Sequence, residues 1–257
     1  LIPEYQRPYS WTETETKTLF YDLLEFTENE SKKDSEVEGT YFLGSIVSYE
    51  NDEGEQEIID GQQRITSLFL LLRAIYTKLL SYEEKTVEQE NFIRQIQPAL
   101  WKQAKLTGEV DYTSVLITSK VIDNEGNKIL QDILETGIAD RKANDNYSKN
   151  YILFQRLFDK LSELSPTLML EFIYYTLNRA VVFPIKTDSQ DDALSVFSTL
   201  NDRGLPLSEA DIFKAKMYNR IKKEYKKLFI KQWKNLTERA IYAKENVQQL
   251  FYYYMFY

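Results

Sequence analysis

The fold of this chain is decided by the stretch Glu57-Ile58-Ile59-Asp60-Gly61-Gln62-Gln63-Arg64-Ile65-Thr66-Ser67-Leu68, which joins a short apolar strand, a glycine turn and a helix. Gly61 permits a tight turn that a side chain would obstruct. A helix that begins at such a turn exposes unpaired N–H groups and the positive end of its dipole, and both favour an anion. The stretch therefore predicts a strand–turn–helix unit with a polar end.

The polar side chains of this unit allow two interpretations. Arg64 carries a planar guanidinium suited to phosphate, Asp60 offers a carboxylate beside it, and Gln62 and Gln63 add neutral donors and acceptors. One interpretation is a phosphate-handling turn. The other is a polar helix start in which Arg64 pairs with an acidic neighbour. Short motifs match by chance often, so these residues alone leave both interpretations open.

Composition limits the chemistry that the chain can perform. The 257 residues carry a net charge of −8 and contain neither histidine nor cysteine. Histidine-dependent nuclease centres, Ser-His-Asp triads, thiolate nucleophiles and zinc–thiolate sites are therefore excluded within these residues. Hydrolysis here would rest on carboxylates, cationic side chains, amides and a borrowed metal ion. With no cysteine, no visible signal peptide and no membrane-length apolar run, we expect a cytoplasmic protein.

Hydrophobic periodicity outside the opening stretch predicts few strands and many helices. Strands are expected over residues 41–49 and 57–60, paired as a hairpin, and over 179–186, where Pro184 indicates an edge position. Helices are expected after a cap at Ser10 or Thr12 and over 65–79, 87–103, 128–135, 147–164, 167–177 and from 191 onward, with a loop over 28–38 and a strand or extended loop over 115–122. Strands without regular β–α alternation predict an α+β fold.

An amide, an arginine and three aromatic residues lie close together in the N-terminal segment Ile2-Pro3-Glu4-Tyr5-Gln6-Arg7-Pro8-Tyr9-Ser10-Trp11. One hypothesis is a ligand-binding arm in which aromatic rings stack on a base and Arg7 contacts a phosphate. The alternative is aromatic packing with Arg7 in a salt bridge.

A second polar cluster lies in the segment 197–211. Asn201, Asp202 and Arg203 stand at a predicted helix end, where they could coordinate a metal or contact a phosphate. The alternative is a helix C-cap and turn in which Gly204 takes a positive φ.

The C-terminal region is rich in lysine. Lys222, Lys223, Lys226, Lys227, Lys231 and Lys234 alternate with Tyr225, Phe229 and Trp233. The lysines could contact nucleic-acid phosphates, or they could form the solvated face around an ordinary apolar stripe.

Taken together, four segments resemble the N-terminal domain family of GmrSD-type, modification-dependent restriction endonucleases. They are residues 2–11, Tyr41-Phe42-Leu43-Gly44-Ser45-Ile46, the Asp60-Gly61-Gln62-Gln63-Arg64 (DGQQR) signature and residues 197–214, and they occur in the order of the family. The family is similar to the ParB and sulfiredoxin nucleotide-binding folds. The resemblance therefore implies a small ParB/sulfiredoxin-like mixed sheet with a large, mostly helical remainder.

The resemblance also implies a role for each matching residue. Gly61 and the following amides of Gln62 and Gln63 would cradle phosphate, Arg64 would neutralise developing charge, and Asp60 would hold a metal ion, Mg²⁺, or orient water. Gln6 and Arg7 would approach the same pocket from the N-terminal segment. The remaining expected lining residues are Asn201, Arg203 and Lys214.

These inferences predict three parts: a nucleotide-binding core (1–82 plus 179–215), a helical insertion (83–178) and a C-terminal helical segment (216–257). Full-length members of the family commonly add an HNH-type nuclease domain, which this histidine-free sequence lacks. The stretch 250–257 is too apolar to end a soluble protein, so we expect the natural protein to continue past residue 257. The leading hypothesis is an NTP-binding and NTP-hydrolysing module of a phage-defence restriction system. The alternatives are a non-catalytic sensor of modified DNA and a ParB-like, metal-dependent nuclease.

Overall fold

The computed structural model describes residues 1–34, 37–121, 125–200 and 209–256. The helices are α1 (Glu13–Ser31), α2 (Gln62–Leu80), α3 (Val87–Leu100), α4 (Gly126–Thr136), α5 (Asn146–Leu164), α6 (Pro166–Asn178), α7 (Gln190–Leu200), α8 (Glu209–Arg220), α9 (Lys226–Tyr242) and α10 (Val247–Phe256). The strands are β1 (Tyr41–Glu50), β2 (Gln56–Asp60), β3 (Trp101–Gln103), β4 (Val110–Val115) and β5 (Ala180–Thr187). A short 3₁₀ helix, Lys223–Tyr225, precedes α9.

The main sheet of the described residues has the strand order β2-β1-β5. Strand β1 pairs antiparallel with β2, so that Val47 lies opposite Asp60, and parallel with β5 on its other side. The predicted hairpin is confirmed, and so is the edge position of the strand that carries Pro184. Strands β3 and β4 form a separate antiparallel pair. The predicted α+β fold, mostly helical with a small mixed sheet, is therefore confirmed.

Helix α2 is the centre of the main hydrophobic core. Its residues Leu70, Leu71, Ile75 and Leu79 are completely buried, as expected for a helix that is apolar nearly all round. The surrounding core takes buried residues from the predicted nucleotide-binding part and from the predicted insertion alike. A smaller apolar cluster packs α7 and α8 against β1 and β2. The division of the chain into three parts stays a prediction.

The first helix is longer than the sequence pattern predicts. A loop was expected from residue 28, but α1 continues to Ser31. Its last turn is held by Glu30, whose buried carboxylate accepts a hydrogen bond from the Gly39 N–H (2.7 Å) and pairs with Lys33. The helix begins at a capping box formed by Thr12 and Glu15, in agreement with the prediction.

The segment after α3 also differs from the prediction. The helix expected over 87–103 ends at Leu100, and the strand considered over 115–122 lies instead at Val110–Val115. The buried Trp101 explains the change, because it takes an extended conformation, pairs with Val115 and packs its ring on Tyr112 (centroids 5.1 Å apart). None of the helices in the described part of the chain is long and apolar enough to cross a membrane.

Candidate functional site

Gly61 forms the turn between β2 and α2 in a left-handed conformation, with φ +87°. A Cβ atom there would lie 2.9 Å from Cγ1 of Ile46 and 3.1 Å from the carbonyl oxygen of Ser45. The turn therefore requires glycine both for its positive φ and for lack of space. No side chain caps α2, and its first turn has no acidic residue. The N-terminal end of α2 therefore keeps the backbone donors and positive dipole end that suit an anion.

Arg64 lies across strand β1. Its Nη1 donates a hydrogen bond to the carbonyl oxygen of Ser45 at 3.1 Å. Gly44 makes room for it, since a Cβ atom at Gly44 would lie 2.8 Å from the guanidinium carbon. Among the described residues Arg64 forms no ion pair with a carboxylate. The guanidinium is thus anchored to the backbone through one nitrogen, and no described carboxylate lies within ion-pair distance of it.

Asp60 places a carboxylate at the end of β2, directly before the turn. Partial burial raises the pKa of Asp60 above its usual value, while a hydrogen bond from the Gly61 N–H and the charges of Arg64 and Arg7 act in the opposite direction. Arg64 and Arg7 thus each act electrostatically on the Asp60 carboxylate. Asp60 therefore interacts with its predicted catalytic partner and with Arg7 from the N-terminal segment.

The three glutamines hold the N-terminal segment against the turn. Gln6 Nε2 donates to the carbonyl oxygen of Ile59 (2.9 Å), and Gln62 Nε2 donates to Gln6 Oε1 (2.9 Å). Gln63 Oε1 accepts from the Ser10 N–H (2.7 Å), and its amide nitrogen donates to the carbonyl of Pro8 (3.2 Å). A gap beside Gln62 and Gln63 is too small for a ligand. Ligand contact by these side chains stays a prediction.

Two of the three aromatic residues of the N-terminal segment are packed in the interior, and the third, Trp11, is partly buried. Tyr5 and Tyr9 are 5% and 7% exposed. Tyr9 shares a 2.6 Å hydrogen bond with Ser67 Oγ and accepts one from Asn150 Nδ2 at 3.0 Å. The packing alternative therefore describes these two rings, whereas Arg7 is exposed and has no ion pair among the described residues.

Three further residues, Asn201, Arg203 and Lys214, were predicted to line the pocket. Asn201 and Arg203 lie outside the described residues. Lys214 lies on α8, where burial lowers the pKa of its ammonium group and the charge of Asp211 acts in the opposite direction. None of its described contacts joins it to Asp60 or Arg64, so its place in the pocket stays a prediction.

The carboxylates near the turn limit which metal could bind. In the described part of the chain, no group of three or more acidic, histidine or cysteine side chains is arranged to hold a metal ion. A protein cage for calcium or zinc is thus not formed by these residues. Mg²⁺ commonly binds through one or two carboxylates, water and substrate phosphates. A lone Asp60 fits an Mg²⁺ ion delivered with a phosphate ligand.

A cavity of about 770 Å³ opens at the other end of the hairpin. Tyr49, Glu57 and Gln190 are among its lining residues, whereas Asp60 and Arg64 are not. The turn and this cavity are therefore separate features of the sheet.

Sequence reasoning missed Gly44 and Ser45 as residues that hold the site. Both were quoted only as part of a family segment. The pairing of β1 with β5 shifts register between Phe42 and Gly44, and Gly44 has φ +108°. A single glycine inside a predicted strand was the available signal, because it commonly marks a bulge or the close approach of another group.

These features define an α+β domain whose central hairpin presents an Asp-Gly-Gln-Gln-Arg turn at the start of its core helix. The chain belongs to the family described as GmrSD restriction endonuclease, N-terminal domain, whose model matches residues 1–218. This membership confirms the resemblance and associates the chain with restriction and phage defence. No curated protein matches it. The ParB-like character of the sheet and the role of the DGQQR motif stay predictions.

Proposed function

We propose that this domain binds a nucleoside triphosphate at the Asp60–Arg64 turn and hydrolyses it, and that this regulates or powers an attack on foreign DNA. The observation that carries the proposal is the uncapped N-terminal end of α2, with an arginine and a carboxylate on either side of a left-handed glycine. Helix N-termini preceded by glycine turns bind phosphate in many nucleotide-binding proteins. Membership in a restriction endonuclease family supports a role in defence.

Each residue of the turn has a distinct role in this proposal. The backbone N–H groups after Gly61 bind phosphate oxygens, and Arg64 stabilises the negative charge that develops during phosphoryl transfer. Because Nη1 of Arg64 donates to Ser45, the guanidinium is held in place and its remaining N–H groups can bind the ligand. Arg7 supplies a second positive charge near Asp60, and the Gln6–Gln62 bond fixes the segment that carries Arg7.

Asp60 would orient the attacking water or hold Mg²⁺ in this arrangement. When bound, Mg²⁺ would neutralise negative charge on the phosphate groups. The raised pKa of Asp60 makes its carboxylate easier to protonate, and a phosphate-bound cation or the two arginines would favour its ionised form. The base of the nucleotide is not defined by these residues.

Nucleotide binding by the histidine-free chain tests the proposal. Equilibrium binding of ATP, GTP, CTP and UTP with Mg²⁺ would be compared between the wild type, Arg64→Ala and Arg94→Ala. Arg94 is an exposed arginine on α3, so its variant removes the same charge away from the turn. We expect binding of at least one nucleotide to weaken at least tenfold in Arg64→Ala alone. Equal binding by all three proteins, or no binding by the folded wild type, would contradict the proposal.

A second candidate function is the sensing of modified DNA, for which the lysine-rich region is the supporting observation. Lys222, Lys223, Lys227, Lys231 and Lys234 are exposed. None of them takes part in the ion pairs found among the described residues. Phe229 and Trp233 pack together on the same helix, with centroids 5.7 Å apart, so the lysines form a solvated face around an apolar stripe. Such a face can contact DNA phosphates without identifying a modification.

A further inference from the structure

A second cavity, of about 460 Å³, lies between α2, α5 and the segment that joins α4 to α5. Its polar lining includes Thr77, Lys78, Arg141, Gln155, Arg156 and Asp159. Three of these side chains are cationic and one is anionic. The excess of positive charge stands out in a chain whose net charge is −8.

The cations of this cavity are poorly neutralised by the protein. Lys78 pairs with Asp159 (Nζ–Oδ1 2.8 Å), which uses the one carboxylate among the lining residues. Arg141 and Arg156 are exposed and form no ion pair among the described residues. Arg156 is also within electrostatic range of Glu13, but that carboxylate already pairs with Lys17. Both arginines therefore line the cavity without a described carboxylate paired to them.

A buried cation, Arg73, contacts Thr77, one of the residues that line this cavity. Arg73 is 5% exposed, and its Nε donates to the carbonyl oxygen of Leu134 at 2.9 Å. Its Nη1 donates to Thr77 Oγ1 (2.5 Å), and its guanidinium lies over the rings of Tyr76 and Trp101, 5.5 and 5.4 Å from their centroids. Arg73 has no ion pair with a carboxylate among the described residues, although buried charges are normally paired. Its charge is stabilised by aromatic rings and hydrogen bonds but by no carboxylate among the described residues, and it adds to the positive potential of the cavity that Thr77 lines.

We propose that this cavity binds a small anion that carries a terminal phosphate, such as a phosphate monoester or a pyrophosphate group. Arg141 and Arg156 would bind the phosphate oxygens through their guanidinium forks, and the Thr77 hydroxyl would link the site to Arg73. The bound anion supplies the countercharge that the protein does not provide for Arg73. A neutral or cationic ligand would leave that charge without a counterion.

This site is distinct from the one proposed for nucleotide turnover. Both lie on α2, but Thr77 follows Arg64 by thirteen residues, which corresponds to about 20 Å along a helix. The inference does not rest on the proposed NTPase function. An anion bound here would stabilise the α2–α5 contact at the centre of the core, so its effect could extend to the turn at the other end of α2.

Pyrophosphate binding tests the proposal, measured by calorimetry at fixed ionic strength in the Arg64→Ala background so that the turn does not contribute. We expect the dissociation constant to rise at least tenfold when Arg141→Gln and Arg156→Gln are added. The matched control adds Arg94→Gln and Arg220→Gln, two exposed arginines elsewhere, and should leave the constant within twofold. Circular dichroism would confirm that the exposed substitutions preserve the fold.

Three results would overturn the inference: no pyrophosphate binding by the Arg64→Ala protein, unchanged binding when Arg141→Gln and Arg156→Gln are added, or a weakening that the control substitutions reproduce. Competition then distinguishes the sources of the phosphate. Displacement of pyrophosphate by AMP supports a free nucleotide, and displacement by a trinucleotide with a 5′-phosphate but not by AMP supports a nucleic-acid end.

Discussion

The guanidinium of Arg64 donates a hydrogen bond to the carbonyl oxygen of Ser45, 3.1 Å away, across a position where Gly44 has no side chain. This contact joins the first turn of α2 to the central strand β1. It fixes the direction of the arginine before any ligand binds. Preorganised cations of this kind stabilise developing charge without a reorganisation cost at the moment of reaction.

The Gly44→Ala variant tests this relationship. A Cβ atom there would lie 2.8 Å from the Arg64 guanidinium, at φ +108°, so the arginine must move and the backbone is strained. We expect a loss of about 1–3 kcal/mol in the free energy of unfolding, together with impaired nucleotide binding. Denaturant unfolding and equilibrium binding would measure the two effects.

Gly54→Ala is the matched control for that variant. Gly54 also has a positive φ, +75°, but a Cβ atom there meets nothing within 4 Å. It should lose stability through backbone strain alone and bind nucleotide normally. Normal nucleotide binding by Gly44→Ala would show that the position of Arg64 does not matter for the ligand.

The buried contact between Gln6 and Gln62 should stabilise the fold. Gln62→Ala leaves Gln6 Oε1 without its 2.9 Å donor in a buried setting, and an unsatisfied buried polar group costs about 1–3 kcal/mol. The exposed Gln131, whose side chain donates to Glu135, is the control, and its alanine variant should change stability by less than about 0.5 kcal/mol. Urea unfolding of both variants measures the difference. Similar values for the two would argue against a structural role of the contact.

The raised pKa of Asp60 predicts a pH-dependent effect on stability. Because burial disfavours the ionised carboxylate in the folded state, the folded protein holds the Asp60 proton to higher pH than the unfolded chain, whose value is near 3.8. As pH rises from 3.8 through the folded-state pKa, Asp60 makes a growing unfavourable contribution. Asp60→Asn should therefore gain stability relative to the wild type as pH rises, with the difference constant once Asp60 is ionised in both states.

Chemical unfolding of both proteins in the absence of nucleotide and metal, at a series of pH values from 4 to 7, checks this expectation. A stability difference that shrinks with rising pH would mean that Arg7 and Arg64 outweigh burial at Asp60. Asp60→Asn should also lose nucleotide turnover. A variant that is more stable but inactive would separate the chemical role of Asp60 from its effect on the fold.

The lysines of α9 predict a specific salt dependence if they contact DNA. Each phosphate contact contributes about 0.9 to the slope of log K against log salt concentration, so Lys227→Gln with Lys231→Gln should reduce the slope by about 2. Lys102→Gln with Lys105→Gln removes the same charge from an exposed segment elsewhere and should leave the slope unchanged. An identical slope for the wild type and both double variants would exclude α9 as a DNA-contacting surface.

Several secondary-structure elements could be predicted from the sequence, because the signals that define them come from neighbouring residues. The capping box of Thr12 and Glu15, the hairpin and the helix after Gly61 all depend on neighbouring residues, and each is present in the structure. The extension of α1 was missed because Glu30 is held by Gly39, a contact that no local pattern reports.

In the candidate site, too, local features could be predicted from the sequence and long-range contacts could not. The proximity of Asp60, Gly61 and Arg64 could be predicted because they lie within five consecutive residues. The anchoring of Arg64 on Ser45 could not, since the two residues are nineteen positions apart and meet only when β1 and α2 pack together. Likewise, the charge of the cavity beside Thr77 arises from segments that are distant in the sequence, among them Lys78 and Arg156.

The most direct test of the central claim is phosphate release from a panel of nucleoside triphosphates with magnesium, comparing the wild type with Arg64→Ala and the control Arg94→Ala. The account predicts turnover of at least one nucleotide by the wild type and the control, and its loss in Arg64→Ala at unchanged folding. Equal turnover by Arg64→Ala would place the chemistry elsewhere. No turnover by the folded wild type would contradict hydrolysis by this domain and favour DNA sensing.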